Sequence, residues 1–535
     1  MRFWQKLTGI LRENNQNKTP GKNQEEKPNR LTPYKEKKLS GRVSEDIEEI
    51  KKILGNPSDL VIREFSYYGI PAAAVMIDGL IDKIVVTEGI LKPLMLEAKI
   101  AEDKPENLYK SLKEEMLAVS EIKETDNLAE FLLAVFSGEV GLLLEKSTAA
   151  LLASTKGWAT RSVSEPLNEV VVRGPQEAFT ETIRVNTALI RRRIRSPHLR
   201  LEALKIGRTS QTDVVIAYLA DIADSKIVEE VRTRLSRIDI DAVLESGYLE
   251  EFIEDDPFNI FPQVKHTERP DKAVADMLEG KVVILTDGTP LALVVPATMP
   301  EFFQAAEDYY EKYFISNFLR MIRVIAFFLA MFLPSLYIAI ITFHQEMIPT
   351  ELLINIWASR SGVPFPAFVE ALIMELAFEA LREAGVRLPR PVGQAVSIVG
   401  ALIIGQAAVE AGIVSTSMVI VVALTGIASF AIPAFNMAVA ARIYRFFIMI
   451  LAATFGMFGL MMGFIYLVIM LCNTRSFGVP YLAPLAPMNL MGQKDMALRV
   501  PWWLMIKRPK PFRPKDERRV KEGLRPGFSE GEKRG

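Results

Sequence analysis

In PFPAFVEALIMELAFEALREAG (364–385), Glu375, Glu379 and Glu383 recur every four residues among apolar side chains. That spacing puts the three carboxylates on one helix face. A carboxylate facing lipid at the bilayer centre costs about 3 kcal/mol or more, so the stripe must look onto water, protein or headgroups. Two arrangements fit the residues, and both stay open. The helix lies amphipathically at an interface, or it lines an aqueous path where carboxylates select cations in an oligomer. Glu370 lies off the stripe and joins Glu375 and Glu379 as the third candidate ion-path residue.

Little else in the 535 residues could do chemistry. There is no GxxxxGK[ST] phosphate loop, and IGRTSQTD reads as a turn between strands. His198, His266 and His344 lie in separate regions without metal-ligand spacing. No GxSxG elbow or Cys/His dyad occurs, and Asp255-Asp256 reads as a helix end running into Pro257. The sequence therefore predicts no enzyme, no cofactor and no metal. The single cysteine, Cys472, allows no intramolecular disulfide.

The elements that must position the glutamates are apolar. Runs at 321–343, 392–411, 413–435 and 446–472 approach or exceed the ~20 residues needed to span ~30 Å of hydrocarbon. Gly393, Ser397, Ala401 and Gly405 form a small-residue stripe, and Gly459 with Gly463 adds a GxxxG step; both suit close helix packing. Gln394, Gln406, Glu410 and Asn436 are expected to hydrogen-bond between helices. Arg320 and Arg323 place the front half on the cytoplasmic side, and the basic C-terminal segment places its own end there too. Arg382, Arg387, Arg390, Arg442 and Arg445 favour that side as well. The number of crossings therefore stays open, including whether SFGVPYLAPLAPMNLM (476–491) dips into the membrane.

The front half is built twice. GEVGLLLEKSTAALLA (138–153) matches GKVVILTDGTPLALVV (280–295), IKKILGNPSDLVIREF matches LIRRRIRSPHLRLEAL, and DGLIDKIV matches DIADSKIV. Three matches in one order predict two related α/β subdomains with mixed sheets, each ending in an antiparallel hairpin. The expected division is a disordered basic tail (1–43), subdomain 1 (44–160), a linker strand and helix start (161–184), subdomain 2 (185–313), an all-α membrane domain (314–472) and a basic tail (473–535). In the linker, EVVVRG reads as a strand. A helix is expected from Pro175, with Glu177 and Glu181 at its positive end and Arg191, Arg192, Arg193 and Arg195 at its negative end. Arg173, Gly174, Pro175 and Glu177 are either a capped linker or a docking surface.

Charge is segregated. Residues 1–43 carry eleven basic and four acidic side chains, and residues 473–535 carry fourteen and six. The balance leaves about −17 on residues 44–313. An acidic body repels phosphate, which argues against nucleic acid as a partner, while basic ends suit anionic headgroups. The N-terminal MRFWQKLTGILRENN lacks the apolar core and cleavage site of a secretory signal.

Three stretches together carry a resemblance: SEPLNEVVVRGPQEAFTETI, REAGVRLPRPVGQAVSIVGALIIGQAAVEAG and VPYLAPLAPMNLMGQKDMALRVPWW. Over about residues 44–510 the chain resembles the A subunit of spore-germination nutrient receptors, the GerA family of endospore-forming bacteria. The resemblance implies a multi-pass protein of the spore inner membrane that works with a permease-like B subunit and a lipoprotein C subunit. It also implies a homo-oligomer forming a nutrient-gated cation channel. A non-conducting scaffold, or the similar stage V A-type membrane protein, is the competing reading. A transporter would call for an inverted repeat, and none is visible.

Overall fold

The computed structural model describes residues 30–97, 109, 112, 121–157, 166, 169–388, 405–488, 492–496, 498–524 and 526. Subdomain 1 runs α1 (Val43–Leu54), β1 (Leu60–Tyr67), β2 (Ile70–Ile77), α2 (Lys83–Val86), β3 (Ile122–Thr125), α3 (Leu128–Phe136), β4 (Glu139–Leu144) and β5 (Ala150–Ser154). Subdomain 2 runs α4 (Ile183–Arg193), β6 (Leu199–Ile206), β7 (Thr212–Leu219), α5 (Ser225–Ser236), α6 (Ser246–Ile253), β8 (Lys265–Thr267), α7 (Pro270–Glu279), β9 (Val282–Thr286) and β10 (Ala292–Val295).

The sheet orders are β1-β2-β4-β5-β3 and β6-β7-β9-β10-β8, the same topology twice. The registers coincide as well. Leu142 faces Leu151 as Ile284 faces Leu293, and Ala74 faces Leu142 as Ile216 faces Ile284. At the edge, Thr125 faces Ala150 as Thr267 faces Ala292. Asp82 caps α2 and Asp224 caps α5, each accepting from backbone N–H groups of the first turn. The first hairpin turn differs in length, closing at Tyr67–Ile70 in one copy and at Ile206–Thr212 in the other.

Every strand pair is antiparallel, so the sheets are not mixed. The helical excursion after β2 ends in edge strand β3, which pairs with β5, and β4 then runs back beside β2. In subdomain 2 the side chains alternate between two helical layers with period two. Val215, Ala217, Leu285 and Val294 pack under α4 and α7, while Val214, Ile216, Ile284 and Leu293 pack under α5 and α6.

Two connecting segments depart from expectation. Residues 30–43 are not a disordered tail: Leu31 and Leu39 are buried in the core of subdomain 1, and the Leu39 N–H donates to the Asp126 carbonyl at 3.1 Å. After Pro175 the chain stays extended, and α4 begins only at Ile183. Phe179 is buried and its N–H donates to Glu268, while the Glu181 carbonyl accepts from Gly288. With its backbone claimed by neighbouring elements, the segment cannot form the helix that its proline and acids suggest. EVVVRG likewise forms no strand.

The C-terminal half is a helical bundle of α8 (Tyr313–Phe343), α9 (Thr350–Arg360), α10 (Ala367–Arg387), α11 (Thr416–Phe430) and α12 (Phe435–Asn473). α8 and α12 are long and apolar enough to cross a membrane. α12 is not straight. The Tyr444 hydroxyl donates to the Gly463 carbonyl at 2.8 Å, although nineteen residues of continuous helix would separate them by about 28 Å. The break is Gly456, at φ 59° and ψ −137°, a left-handed φ that favours glycine. The chain folds back there into an antiparallel helical hairpin, so the run expected as one span at 446–472 belongs to two limbs.

Both ends of α12 lie beside subdomain 2. Asn436 contacts His266 at 3.2 Å, and Asn259 donates to the Thr474 hydroxyl at 2.6 Å. Gly456 lies at the opposite end, against Phe343 and His344. Beyond α12 a small hairpin, β11 (Arg475–Ser476) and β12 (Val479–Pro480), docks on subdomain 2. Ser476 donates to the Gln263 carbonyl and Tyr481 to the Pro262 carbonyl, both at 2.7 Å. This stretch therefore packs on the soluble half. Residues 499–519 continue as a strap rather than a free tail, with Arg508 Nε on the Leu278 carbonyl at 2.7 Å and Lys515 N on the Ile222 carbonyl at 2.8 Å.

Candidate functional site

The carboxylates of α10 meet arginines. Glu375 is 2% exposed and pairs with Arg445, 1% exposed, at 2.7 Å. Glu379, one turn on, pairs with Arg442 at 2.8 Å, with Arg382 at 3.0 Å and with Arg445 at 3.6 Å. Arg382 also donates to the Ser429 hydroxyl of α11 at 3.0 Å. Three guanidiniums and two carboxylates thus tie α10, α11 and α12 together. Arg442 and Arg445 share a face of α12 because they lie three residues apart. Glu370, fully buried, accepts from the Ser415 N–H at 2.9 Å and pairs with Arg360 at 3.0 Å. Glu383 has turned outward and pairs with Arg387 on the surface.

A buried ion pair gains little net stability over a hydrophobic pair, but removing one partner strands a charge. The cluster therefore holds the three helices in one register and makes displacement costly. Its arginines were visible in the sequence only as topology markers, and their separation from the glutamates hid the pairing. No His/Cys/Asp/Glu group among the described residues could hold a metal.

Gly393, Ser397 and Ala401 lie outside the described residues; Gly405 packs against Val419 of α11. A Cβ at Gly459 would overlap the Leu451 carbonyl, and Gly463 lies beside Ile448, so this GxxxG step closes the α12 hairpin. Of the polar groups, Gln406 donates to Glu410 on an exposed face at 2.9 Å. In the linker, Arg173 reaches Glu311 at 4.0 Å and the Pro175 carbonyl accepts from Arg269 at 2.8 Å. Gly174 presses on the Tyr310 ring, and Glu177 pairs with Arg192 and Arg193. These contacts all lie within the chain, while Val170 and Val172 remain exposed.

The family described as "Bacillus/Clostridium GerA spore germination protein" matches residues 48–511. The chain belongs to the GerA family. Spore germination protein KA of Bacillus subtilis is 46% identical over 491 residues, covering 91% of this chain and 90% of that protein. Spore germination protein GerLA of Bacillus cereus is 37% identical over 480 residues, covering 89% and 97%. Among solved structures, the N-terminal domain of the A subunit of the Bacillus megaterium germinant receptor GerK3 is similar at 35% identity and TM-score 0.40, covering 49% of this chain and 97% of that one. GerA membership and two long apolar helices agree on a membrane-associated spore germination protein.

Proposed function

We propose that this GerA protein is the non-enzymatic A subunit of a germinant receptor, and that copies of it form a nutrient-gated cation channel. The observation that carries the reading is the cluster of Glu375 and Glu379 with Arg382, Arg442 and Arg445 at the junction of α10, α11 and α12. Charged groups within a membrane domain mark ion paths by default. Here the arginines cover the carboxylates, as a resting state requires, and opening must loosen that hold so that Glu375 and Glu379 meet cations. The protein would sit as a multi-pass subunit in the spore inner membrane, with both termini cytoplasmic. The return of both α12 ends to the soluble half supports that orientation. The permease-like B and lipoprotein C subunits would supply the nutrient signal.

Replacing Glu375 and Glu379 together by glutamine is expected to cut nutrient-triggered cation release from spores about tenfold or more, with receptor level unchanged. Normal release from normally assembled receptor removes them from the path. Purified oligomer in liposomes that passes no cations, with its partners and nutrient present, would leave a scaffold.

A further inference from the structure

One face of subdomain 2 has no partner. α6 buries Leu249 and Ile253 against the sheet and turns Tyr248 and Phe252 outward, at 42% and 54% exposure, while Leu244, just ahead of the helix, is 66% exposed. The step of four residues aligns Tyr248 and Phe252 on one side of the helix. Phe258, 95% exposed, and Ile260 extend the patch. Among the described residues, Glu250, Glu251 and Glu254 around it have no basic partner. Burial, aided by neighbouring carboxylates, pushes Glu250 up to about 7. A groove of about 470 Å³ opens beside Phe252 and Glu254, between α5 and α6, lined by Glu230 and Asp255 and also by Arg234 and Arg237.

The Phe252–Ile260 part of the patch sits at the end of the sheet that faces the bundle, whereas Leu244 and Glu245 lie by the Gly288–Thr289 turn at the other end. The Asp255 carboxylate accepts from Phe477 and Gly478 N–H, and Asn259 holds Thr474 at the end of α12. An acidic, apolar surface at that level is repelled by anionic headgroups and fits a basic, apolar protein surface. The strap provides one at the same end, where Phe512 lies 4.7 Å under the Lys281 ammonium and Lys515 binds the β7 end. Lys510 and Arg513 are exposed there without a carboxylate partner among the described residues. Lys515 is exposed as well, with Nζ on the Ala220 carbonyl at 3.1 Å. α6 packs over β10, whereas the strap lies on β12 and the end of α7, so different elements hold the two surfaces.

We propose that these surfaces meet between copies: the 244–260 face of one subunit receives the basic strap of the next. The contact is head-to-tail, which generates a ring where the rotation closes. About an axis normal to the membrane every residue keeps its height, so the two halves of such a contact must lie at one level, as the Phe252–Ile260 part of the face and the strap do. The inference rests on the oligomer reading above.

The test uses full-length protein in detergent, with mass measured by light scattering. Reversing the face (Glu250→Lys, Glu251→Lys, Glu254→Lys) or the strap (Lys510→Glu, Arg513→Glu, Lys515→Glu) is expected to weaken assembly about tenfold or more, since like charges face each other. Combining both sets is expected to restore it. In a Cys472→Ser background, Phe252→Cys with Arg513→Cys is expected to give disulfide-linked species larger than a dimer, a readout that survives if a charge-reversed chain folds poorly. An oligomer that ignores both reversals and yields no cross-link overturns this interface alone. A wild-type chain that stays monomeric in detergent and in lipid overturns the oligomer reading itself.

Discussion

The two copies of the α/β unit share topology and register, yet only the second carries the bundle. The difference lies in charges at matched positions. At the first position of β4 stands Glu139, itself buried, which pairs with the partly exposed Lys156 at 3.0 Å. Ahead of β9 stands Lys281, fully buried, which pairs with Asp276 at 2.7 Å and with Glu301. Asp276 also holds Lys265 at 2.6 Å. Glu301 sits in the segment leading from β10 to α8, so this network fixes the sheet to the membrane domain. Burial pushes Asp276 up, but Lys265 and Lys281 outweigh it and hold the carboxyl well below its usual range. Lys281 is raised, because Asp276 and Glu301 outweigh its own burial. Duplication supplied two sheets, and divergence at a few charged positions gave one of them its attachment.

Breaking that asymmetry has the largest expected effect. Lys281→Met leaves two buried carboxylates without their shared cation and should cost about 3–5 kcal/mol, whereas Glu139→Gln should cost under about 1 kcal/mol. Apparent unfolding midpoints of the full-length protein in detergent compare them; equal losses would dissolve the contrast. Because Asp276 is depressed in the fold, its contribution is complete above its ordinary value of about 3.9 and drains away as pH falls below it.

A neutral pair sharpens the comparison. In copy 1, Phe131 fills the space over Gly141, where a Cβ would overlap its ring. The matched positions in copy 2 are Ala273 and Val283, both buried in the core. Gly141→Val should therefore overpack copy 1 by about 1–3 kcal/mol, and adding Phe131→Ala should recover part of that loss instead of adding its own few kcal/mol. Additive losses would show that the copies do not trade volume this way.

A third contrast concerns Glu279, whose counterpart is Ser137. Burial raises Glu279 to about 7, with Asp495 and Asp276 adding to it, despite Lys281 and Arg519 nearby. A carboxyl raised in the fold imposes no penalty below its ordinary value of about 4.3 and the full penalty above about 7. Stability measured from pH 4.5 to 7.5 should fall through this window in the wild type and fall less in Glu279→Gln. Identical profiles would remove Glu279 from the difference.

Much of the soluble fold could be read from the letters because apolar alternation and the turn glycines survived duplication. Gly138 and Gly280, both at positive φ, still mark the same helix-to-strand corner. What could not be read was compensation across space. Phe131 with Gly141 and Ala273 with Val283 look unrelated until they are stacked. For α10 the letters demanded a polar environment for Glu375 and Glu379 but could not name Arg445 and Arg442, which lie 70 and 63 residues away. Those arginines weighed on the choice of side because a lone cation in an apolar run favours the cytoplasm, a rule that a buried pair cancels. Pro175 and its acids match a helix start, yet Phe179 gains more by burial and takes the backbone with it. The unbroken apolar run to Cys472 hid the reversal at Gly456.

The hairpin of α12 has a mechanical consequence. Its two feet, at Asn436 and Thr474, and the base of α8 are all bolted to subdomain 2 or its exit segment. Among the described residues no hydrogen bond or ion pair fastens α10 or α11 to that platform. A load on the platform therefore enters the bundle through α8 and α12 and reaches α10 and α11 only through the contacts between helices. Between α12 and α10 that load is carried by the Glu375–Arg445 and Glu379–Arg442 pairs.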